Sequence, residues 1–309
     1  MRHALILAGV LAALPLAAQD VRPTAPSAAD VAISQGRLSD AEQLLFAASS
    51  RSTHEPSARG ALGLFLASRG RFRIGAVLLE EARQFGGDAA VIDARLARIY
   101  PWLGDWTAIA ALKHYATSGP ENDRARWLAN HAPAHRGADS AKIAMEPNEM
   151  AGLGRIEIMI GRTRLLVDID PNVGGLVLPS NPDVTGESQQ FGMRDSATVA
   201  VVREFSIGAI RFSNIPAKLS PNAHAAIGLD VLAALMPAFD AGAGSLTLRQ
   251  KPVVVSGESL PILLSFPGMR VVAREGQSPA ALESAAGRAA LRGMRWTLDV
   301  RHGAIITTR

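Results

Sequence analysis

The sequence has no cysteine, only four lysines and few aromatic residues (5%). Without cysteine the chain cannot form disulfides, thiolate zinc sites, a cysteine nucleophile or a lipidated lipoprotein N-terminus. Of its 32 basic residues 28 are arginines (32 − 4 = 28), and they are scattered singly rather than gathered into a nucleic-acid-binding face. Hydrophobic residues make up 48% of the 309 and charged residues 19%, which excludes a disordered chain and allows about two domains.

The N-terminal segment is a short apolar run. Residues 1–18 begin with Arg2, continue through an uncharged apolar stretch over 4–14 and end, after Pro15, in small residues. This order is typical of a secretory signal peptide, and the run is too short for a stable bilayer anchor. We therefore expect a cleaved signal peptide, only transient membrane contact and a periplasmic or secreted protein. The alternative is an uncleaved membrane anchor.

Glycines recur at a fixed spacing in the first half of the chain. Gly36, Gly70 and Gly104 each lie in a short polar break, and the interval between neighbours is constant (70 − 36 = 34; 104 − 70 = 34). Between these breaks the apolar residues fall at helical spacing. The period predicts pairs of helices joined by a glycine turn and packed closely through small residues.

Residues 25–118 thus resemble about three tetratricopeptide repeats, although the proline that usually follows the second helix is missing. The resemblance implies a concave groove for a peptide or partner protein. The alternative is a helical cap packed on the second domain, without a ligand. Residues 119–150 are rich in Pro, Ala, Asn and charge, which predicts a linker. His131 and His135 are four residues apart there, but Pro133 argues against a shared helix face, so we expect no metal site.

The second half of the chain follows the period of a β-strand. Residues 155–170 read as two strands joined at Gly161 and Arg162, and several short strands with one helix over 228–235 follow. An internal duplication is also present. The offset from Gly228 to Gly287 (287 − 228 = 59) equals the offset from Asp240 to Asp299 (299 − 240 = 59).

This pattern resembles the retropepsin-like (clan AA) aspartic peptidase domain. That family has an apolar strand ending in Asp-Thr-Gly-Ala, a flap hairpin and then a helix start of the type Gly-x-Asp-x-Leu. Here DPNVGGLVLP, QQFGMRDS and AAIGLDVL follow one another in that order. The resemblance implies an α+β chain, in which α-helical repeats precede a two-lobed, mostly antiparallel β barrel of the pepsin type. Its first lobe covers 151–250 and its shortened second lobe 251–309.

The active-site motif implied by this resemblance is degenerate. Counting back from the next strand puts Asp170 at the catalytic position, whereas counting forward from the preceding hairpin puts Asp168 there. The family's Thr and Gly are missing either way, and Ser265 stands where the second lobe would supply its aspartate. Aspartic proteolysis needs two carboxylates that share a proton. Three arrangements stay open: a homodimer that pairs two copies of one aspartate, an Asp168–Asp170 pair on one strand face, or an inactive site.

Three further residues are implied near the site. Gly192 would be the flexible tip of the flap, unless QQFGMRDS forms an ordinary surface hairpin. Gly228 and Asp230 begin the helix of the first lobe, and Asp230 is expected to cap this helix or to brace the lobe rather than to act in catalysis.

We expect an exported aspartic-peptidase-like protein that hydrolyses peptide bonds with water activated by aspartate, mostly at acidic pH. The alternative is an inactive pseudo-peptidase scaffold that binds extended peptides or partner proteins through the helical groove or the flap cleft. The implied partners are a peptide or protein substrate, a protein partner for the repeats and a second copy of the chain. No cofactor, metal or nucleic acid is expected.

Overall fold

The chain is α+β, with a helical half followed by a β half. The computed structural model describes residues 27–115, 118–147, 153–266, 268–282, 284–291 and 294–308; the signal peptide predicted over 1–18 lies outside them. The helices are α1 Ala28–Ser34, α2 Leu38–Arg51, α3 Pro56–Ser68, α4 Phe72–Gln84, α5 Ala89–Leu103, α6 Trp106–Ala111, α7 Pro120–Asn130, α8 Pro182–Gly186, α9 Leu229–Ala233 and α10 Ala285–Ala290. The strands are β1 Ala134–Gly137, β2 Ser140–Glu146, β3 Arg155–Ile160, β4 Thr163–Asp170, β5 Leu176–Pro179, β6 Ser188–Arg194, β7 Ala197–Ile207, β8 Ile210–Ser220, β9 Ala226–Gly228, β10 Ala238–Asp240, β11 Ser245–Arg249, β12 Glu258–Leu264, β13 Met269–Val271, β14 Ala280–Ala281, β15 Arg295–Asp299 and β16 Ala304–Thr308.

Helices α1 to α6 form three hairpins, as the constant glycine interval predicts. The turns of these hairpins fall at Gly36, Gly70 and Gly104, whose φ angles are 67°, 79° and 67°. Small residues let the paired helices approach: a Cβ on Gly63 of α3 would lie only 2.9 Å from the carbonyl oxygen of Gly75 in α4. The glycine turns and the close packing are therefore confirmed.

The region predicted as a linker over 119–150 differs in the structure, because it contains α7, β1 and β2. Pro120 occupies the first helical position of α7, where a missing N–H costs nothing, and Ala125 and Leu128 bury one face of the helix. Residues of β2 alternate between exposed and buried. His131 lies just after α7 and His135 in β1, so they share no helix face. The described residues contain no cluster suited to a metal ion.

Six strands within the region predicted as the first lobe form a closed barrel. Its strands follow the order β3, β4, β9, β5, β8, β7, and β7 closes on β3 where Ser206 pairs with Met159. The predicted hairpin at Gly161 and Arg162 is confirmed as the β3–β4 turn. Strands β4 and β9 run parallel, which sets Asp170 beside Gly228. The barrel interior is filled by alternating apolar side chains of these strands.

A six-stranded sheet joins the two lobes in the order β12, β16, β15, β10, β11, β2. At its centre Phe239 of β10 stacks on Trp296 of β15, with ring centroids 4.0 Å apart. The duplication offset holds here, since β11 begins at 245 and β16 at 304 (304 − 245 = 59). Asp240 and Asp299 accept hydrogen bonds from the N–H groups three residues later, so both carboxylates cap the turns that follow their strands.

The duplication does not extend to the helix starts. Gly228 is the N-cap residue of α9, whereas Gly287 lies inside α10, whose N-cap is Ser284. The strand before α10 is only two residues long, and the Ser284 hydroxyl accepts a hydrogen bond from the N–H of Gly287 at 3.1 Å. The second lobe, residues 251–308, therefore turns into its helix earlier than the first lobe does.

The helical half packs directly on the second lobe. The Arg69 guanidinium donates hydrogen bonds to the carbonyl oxygens of Ile262 (2.6 Å) and Gly303 (3.0 Å). Apolar residues of α1, α2 and α3 share a buried cluster with Leu263 and Val272. A Cβ on Gly70 would lie 1.9 Å from the Val300 carbonyl oxygen. No helix among the described segments is long and apolar enough to cross a membrane.

Candidate functional site

The loop after β4 is held in place from within the first lobe. The N–H of Asn172 donates to the Asp170 carboxylate at 2.8 Å. The N–H of Gly175 donates to both carboxylate oxygens of Asp230, at 3.1 and 2.9 Å, and the carbonyl of Gly175 accepts from the N–H of Gly228 at 2.8 Å. Asp230 thus braces a loop that is distant in sequence, as one of its two predicted roles requires.

The loop after β12 faces the first loop. The N–H of Ser265 donates to the Gly268 carbonyl at 2.9 Å, and a Cβ on Gly268 would lie 3.3 Å from Oδ1 of Asn172. Between them Phe266 adopts a φ of 51° and directs its ring against Phe72 and Trp102 of the helical half, at centroid distances of 6.2 Å. The two loops of the duplicated lobes therefore meet, and the helices anchor the second one.

The two candidate aspartates have separate partners. Asp168 is 5% exposed and its Oδ2 is hydrogen-bonded to Nε2 of His224, while its Oδ1 has no hydrogen-bond partner in the described part of the chain. Asp170 is half-buried and bonded to its own loop. The contacts of the Asp168 and Asp170 carboxylates do not include one between the two groups. The equivalence of Asp170 and Ser265 stays a prediction, and sequence reasoning did not foresee the His224 partner of Asp168.

The predicted flap is a hairpin of β6 and β7, but Gly192 is not at its tip. Gly192 lies at a register shift in the β6–β7 pairing, and the tip is formed by Asp195 and Ser196, with φ angles of 49° and 64°. The hairpin rests on α7 through a 2.6 Å ion pair of Arg194 with Glu121. A two-residue hairpin turn with positive φ at both residues matches the twist of the flanking strands. The position of the tip therefore follows from this turn at Asp195 and Ser196 and not from Gly192.

A cavity of about 270 Å³ lies where the two loops meet the helices. A smaller cavity of about 160 Å³ adjoins it. Neither Asp168, Asp170 nor Ser265 is among the described residues that line these cavities. The residues lining both are Pro101, Tyr115, Glu121, Arg124, Gly174, Lys218 and Asp230.

Two residues that line both cavities, Asp230 and Arg124, have shifted pKa values. Burial raises the pKa of Asp230 to about 6, although hydrogen bonds from backbone N–H groups such as that of Gly175 oppose the rise. Burial likewise lowers the pKa of Arg124, with the nearby Glu121 acting in the opposite direction. Arg124 lies on the same face of α7 as the buried Leu128, and an arginine on an apolar helix face is a signal that sequence reasoning missed.

A groove of about 540 Å³ runs from the cavity along the helical half. One wall comes from α1, α3 and α5, with Leu64, Phe65 and Arg95, and the other from the second lobe, with Ser265 and Arg270. Arg98, Leu264 and Phe266 line both the groove and the cavity, so the two adjoin. The helical face is thus partly packed on the second lobe and partly open as a groove, and the binding of a ligand in this groove stays a prediction.

No protein-family model and no curated protein matches the chain. Among solved structures, the crystal structure of a retropepsin-like aspartic protease from Rickettsia conorii matches 38% of this chain and 93% of its own chain. The two share 14% sequence identity, and the TM-score is 0.29.

Proposed function

We propose that this chain is an exported, non-catalytic member of the retropepsin-like peptidases that binds an extended peptide. The observation that carries the proposal is the pair of facing loops. One loop presents Asp170 and the other Ser265, with Asn172 and Gly268 in close approach between them. A pair of facing loops of which only one carries a carboxylate supports an inactive site of the retropepsin type.

Peptide hydrolysis of this type depends on two carboxyl groups. Because like charges at short distance cannot both ionise, one carboxylate activates water while its protonated neighbour polarises the peptide carbonyl. The hydroxyl of Ser265 can donate a hydrogen bond, but it does not titrate with Asp170 in the way a second carboxyl group would. A bound peptide would consequently be held without being cleaved.

The two other routes to a pair of carboxylates are disfavoured by contacts within the chain. A second copy of the protein would have to approach the Asp170 loop on the side that the Gly268 loop of the same chain already occupies. The alternative partner, Asp168, is buried and paired with His224. Both arrangements would require existing packing to be broken.

The groove favours an extended peptide as ligand. It combines apolar side chains such as Leu64 and Phe65 with the charged heads of Arg95 and Arg270, so it offers both contact area and hydrogen-bond donors. The sequence resemblance to tetratricopeptide repeats implies a peptide-binding face on the same helices. The exposed Ser265 lies in the same groove, so a peptide there would pass the loop that lacks an aspartate.

The first test is cleavage of a mixed peptide library by the protein without residues 1–18, between pH 3 and 8, together with a binding measurement on the same library. We expect binding without cleavage at any pH. Acid-favoured cleavage that is blocked by a statine-type mimic and lost in Asp170→Asn would overturn the proposal in favour of an active peptidase.

A matched pair of variants locates the binding site. Ala61 and Ala90 are both exposed helical residues, but only Ala61 lines the groove. Ala61→Trp is expected to weaken peptide binding at least tenfold by filling the groove, whereas Ala90→Trp leaves it unchanged. Equal affinity of both variants would place the peptide elsewhere and refute the groove as its site.

A further inference from the structure

Two buried hydrogen-bond donors line the 160 Å³ cavity without a partner among the described residues. They are the Nε of Arg124 and the Nε1 of Trp106. A buried donor that lacks an acceptor costs free energy, and a donor on a charged group costs more. Two such donors in one cavity therefore indicate a site shaped for an acceptor, and the fixed positive charge of Arg124 favours an anionic one.

The surrounding charges fit a single negative charge. Arg98 and Lys218 are exposed and line the 270 Å³ cavity, so they add positive charge around its mouth. The acidic groups are Glu121, whose carboxylate pairs with Arg194 at 2.6 Å, and Asp230, which also lines the cavity. The two acidic groups would repel a dianion such as phosphate about twice as strongly as a monoanion. The single charge of a monoanion is balanced by Arg124.

Apart from Tyr115, most of the remaining lining is apolar. Trp102, Leu229 and Met269 line the larger cavity, and Ile109 lines the smaller one. An apolar body of the size of one large side chain fits a space of about 270 Å³. Unpartnered donors beside an apolar lining favour an organic acid that carries one carboxylate on a compact hydrophobic group.

We infer that the cavity binds such a carboxylate, with Arg124 and Trp106 as its donors. The shared chemistry has two sources: the C-terminal residue of a peptide lying in the adjoining groove, or a free small carboxylic acid. The first source rests on the proposed function and would make the protein specific for peptide C-termini, because the groove leads into the cavity at Arg98 and Phe266.

Calorimetry on the protein lacking residues 1–18 tests this inference. The probes are 3-phenylpropionate, its neutral amide, inorganic phosphate, and one library peptide ending in Phe with either a free or an amidated C-terminus. We expect 3-phenylpropionate to bind and the amide and phosphate not to bind. Arg124→Met should weaken the binding of 3-phenylpropionate about ten- to a hundredfold, since a charge-assisted hydrogen bond is lost.

Two variants keep the test specific. Arg126→Met changes an exposed arginine on the opposite face of α7 and should have no effect. Trp106→Phe keeps an aromatic ring but removes the Nε1 donor, and should weaken 3-phenylpropionate severalfold with no loss of folding. Equal binding of 3-phenylpropionate to Arg124→Met and Arg126→Met, or no binding to the unmodified protein, would overturn the inference.

The peptide arm separates this inference from the proposed function. Tenfold or greater preference for the free C-terminus, lost in Arg124→Met, identifies peptide ends as the source. Binding of 3-phenylpropionate with no peptide binding supports the carboxylate site and refutes the peptide function. Equal binding of both peptides that Ala61→Trp abolishes, with no binding of 3-phenylpropionate, refutes the carboxylate site and leaves the peptide function standing.

Discussion

The close contact between Gly70 and the second lobe makes it possible to measure how much the packing of the helices on that lobe contributes to stability. Gly70 and Gly104 occupy equivalent turns with similar φ angles, 79° and 67°. A Cβ on Gly104 would meet no atom within 4 Å, whereas a Cβ on Gly70 would lie 1.9 Å from the carbonyl oxygen of Val300. Alanine at either position carries the cost of the left-handed conformation, about 1 kcal/mol. Only at Gly70 must the helices and the second lobe also move apart.

We therefore expect Gly104→Ala to lower the free energy of unfolding by about 1 kcal/mol and Gly70→Ala by about 3 kcal/mol, since overpacking adds roughly 1–3 kcal/mol. In Tm this corresponds to decreases of about 3 °C and about 9 °C for a domain of this size. Gly36→Ala, whose Cβ would lie 2.3 Å from the Gln277 carbonyl oxygen, should behave like Gly70→Ala.

Thermal unfolding followed by tryptophan fluorescence is the assay, because three of the four tryptophans lie in helices of the first half and only Trp296 lies in a strand. Circular dichroism at a strand-sensitive wavelength reports the β half separately. Equal Tm decreases for Gly70→Ala and Gly104→Ala would refute the reasoning, since the two turns would then have the same surroundings.

Two further predictions concern buried carboxylates. Because burial raises the pKa of Asp230 from 3.8 to about 6, the native state binds this proton more tightly, and the free energy of unfolding should fall by about 2 kcal/mol as pH rises from 4 to 7; urea titrations should show this slope reduced in Asp230→Asn. Asp93 is fully buried, paired with Arg83 at 2.6 Å and bonded to the N–H of His114 at 3.0 Å. Asp93→Ala should cost about 3 kcal/mol in urea unfolding, with Asp93→Asn costing less because it keeps an acceptor; equal stability of Asp93→Ala and the unmodified protein would contradict this role.

The sequence by itself determined the features that depend on near neighbours in the chain. The glycine turns at Gly36, Gly70 and Gly104 follow from a helical period and from the need for positive φ. The β3–β4 hairpin follows from strand alternation, and the caps of Asp240 and Asp299 follow from side chains that bond three residues ahead. The repeated offset in the second half placed β11 and β16 in equivalent positions.

Only the tertiary structure decided what these elements contact. The approach of Asn172 to Gly268, the pairing of Asp168 with His224 and the cavity around Arg124 join segments far apart in sequence. Such contacts depend on how whole faces pack, and the period of one helix or strand carries no information about its partner. For the same reason 119–150 read as a linker by composition, although α7 from this stretch forms one wall of the cavity.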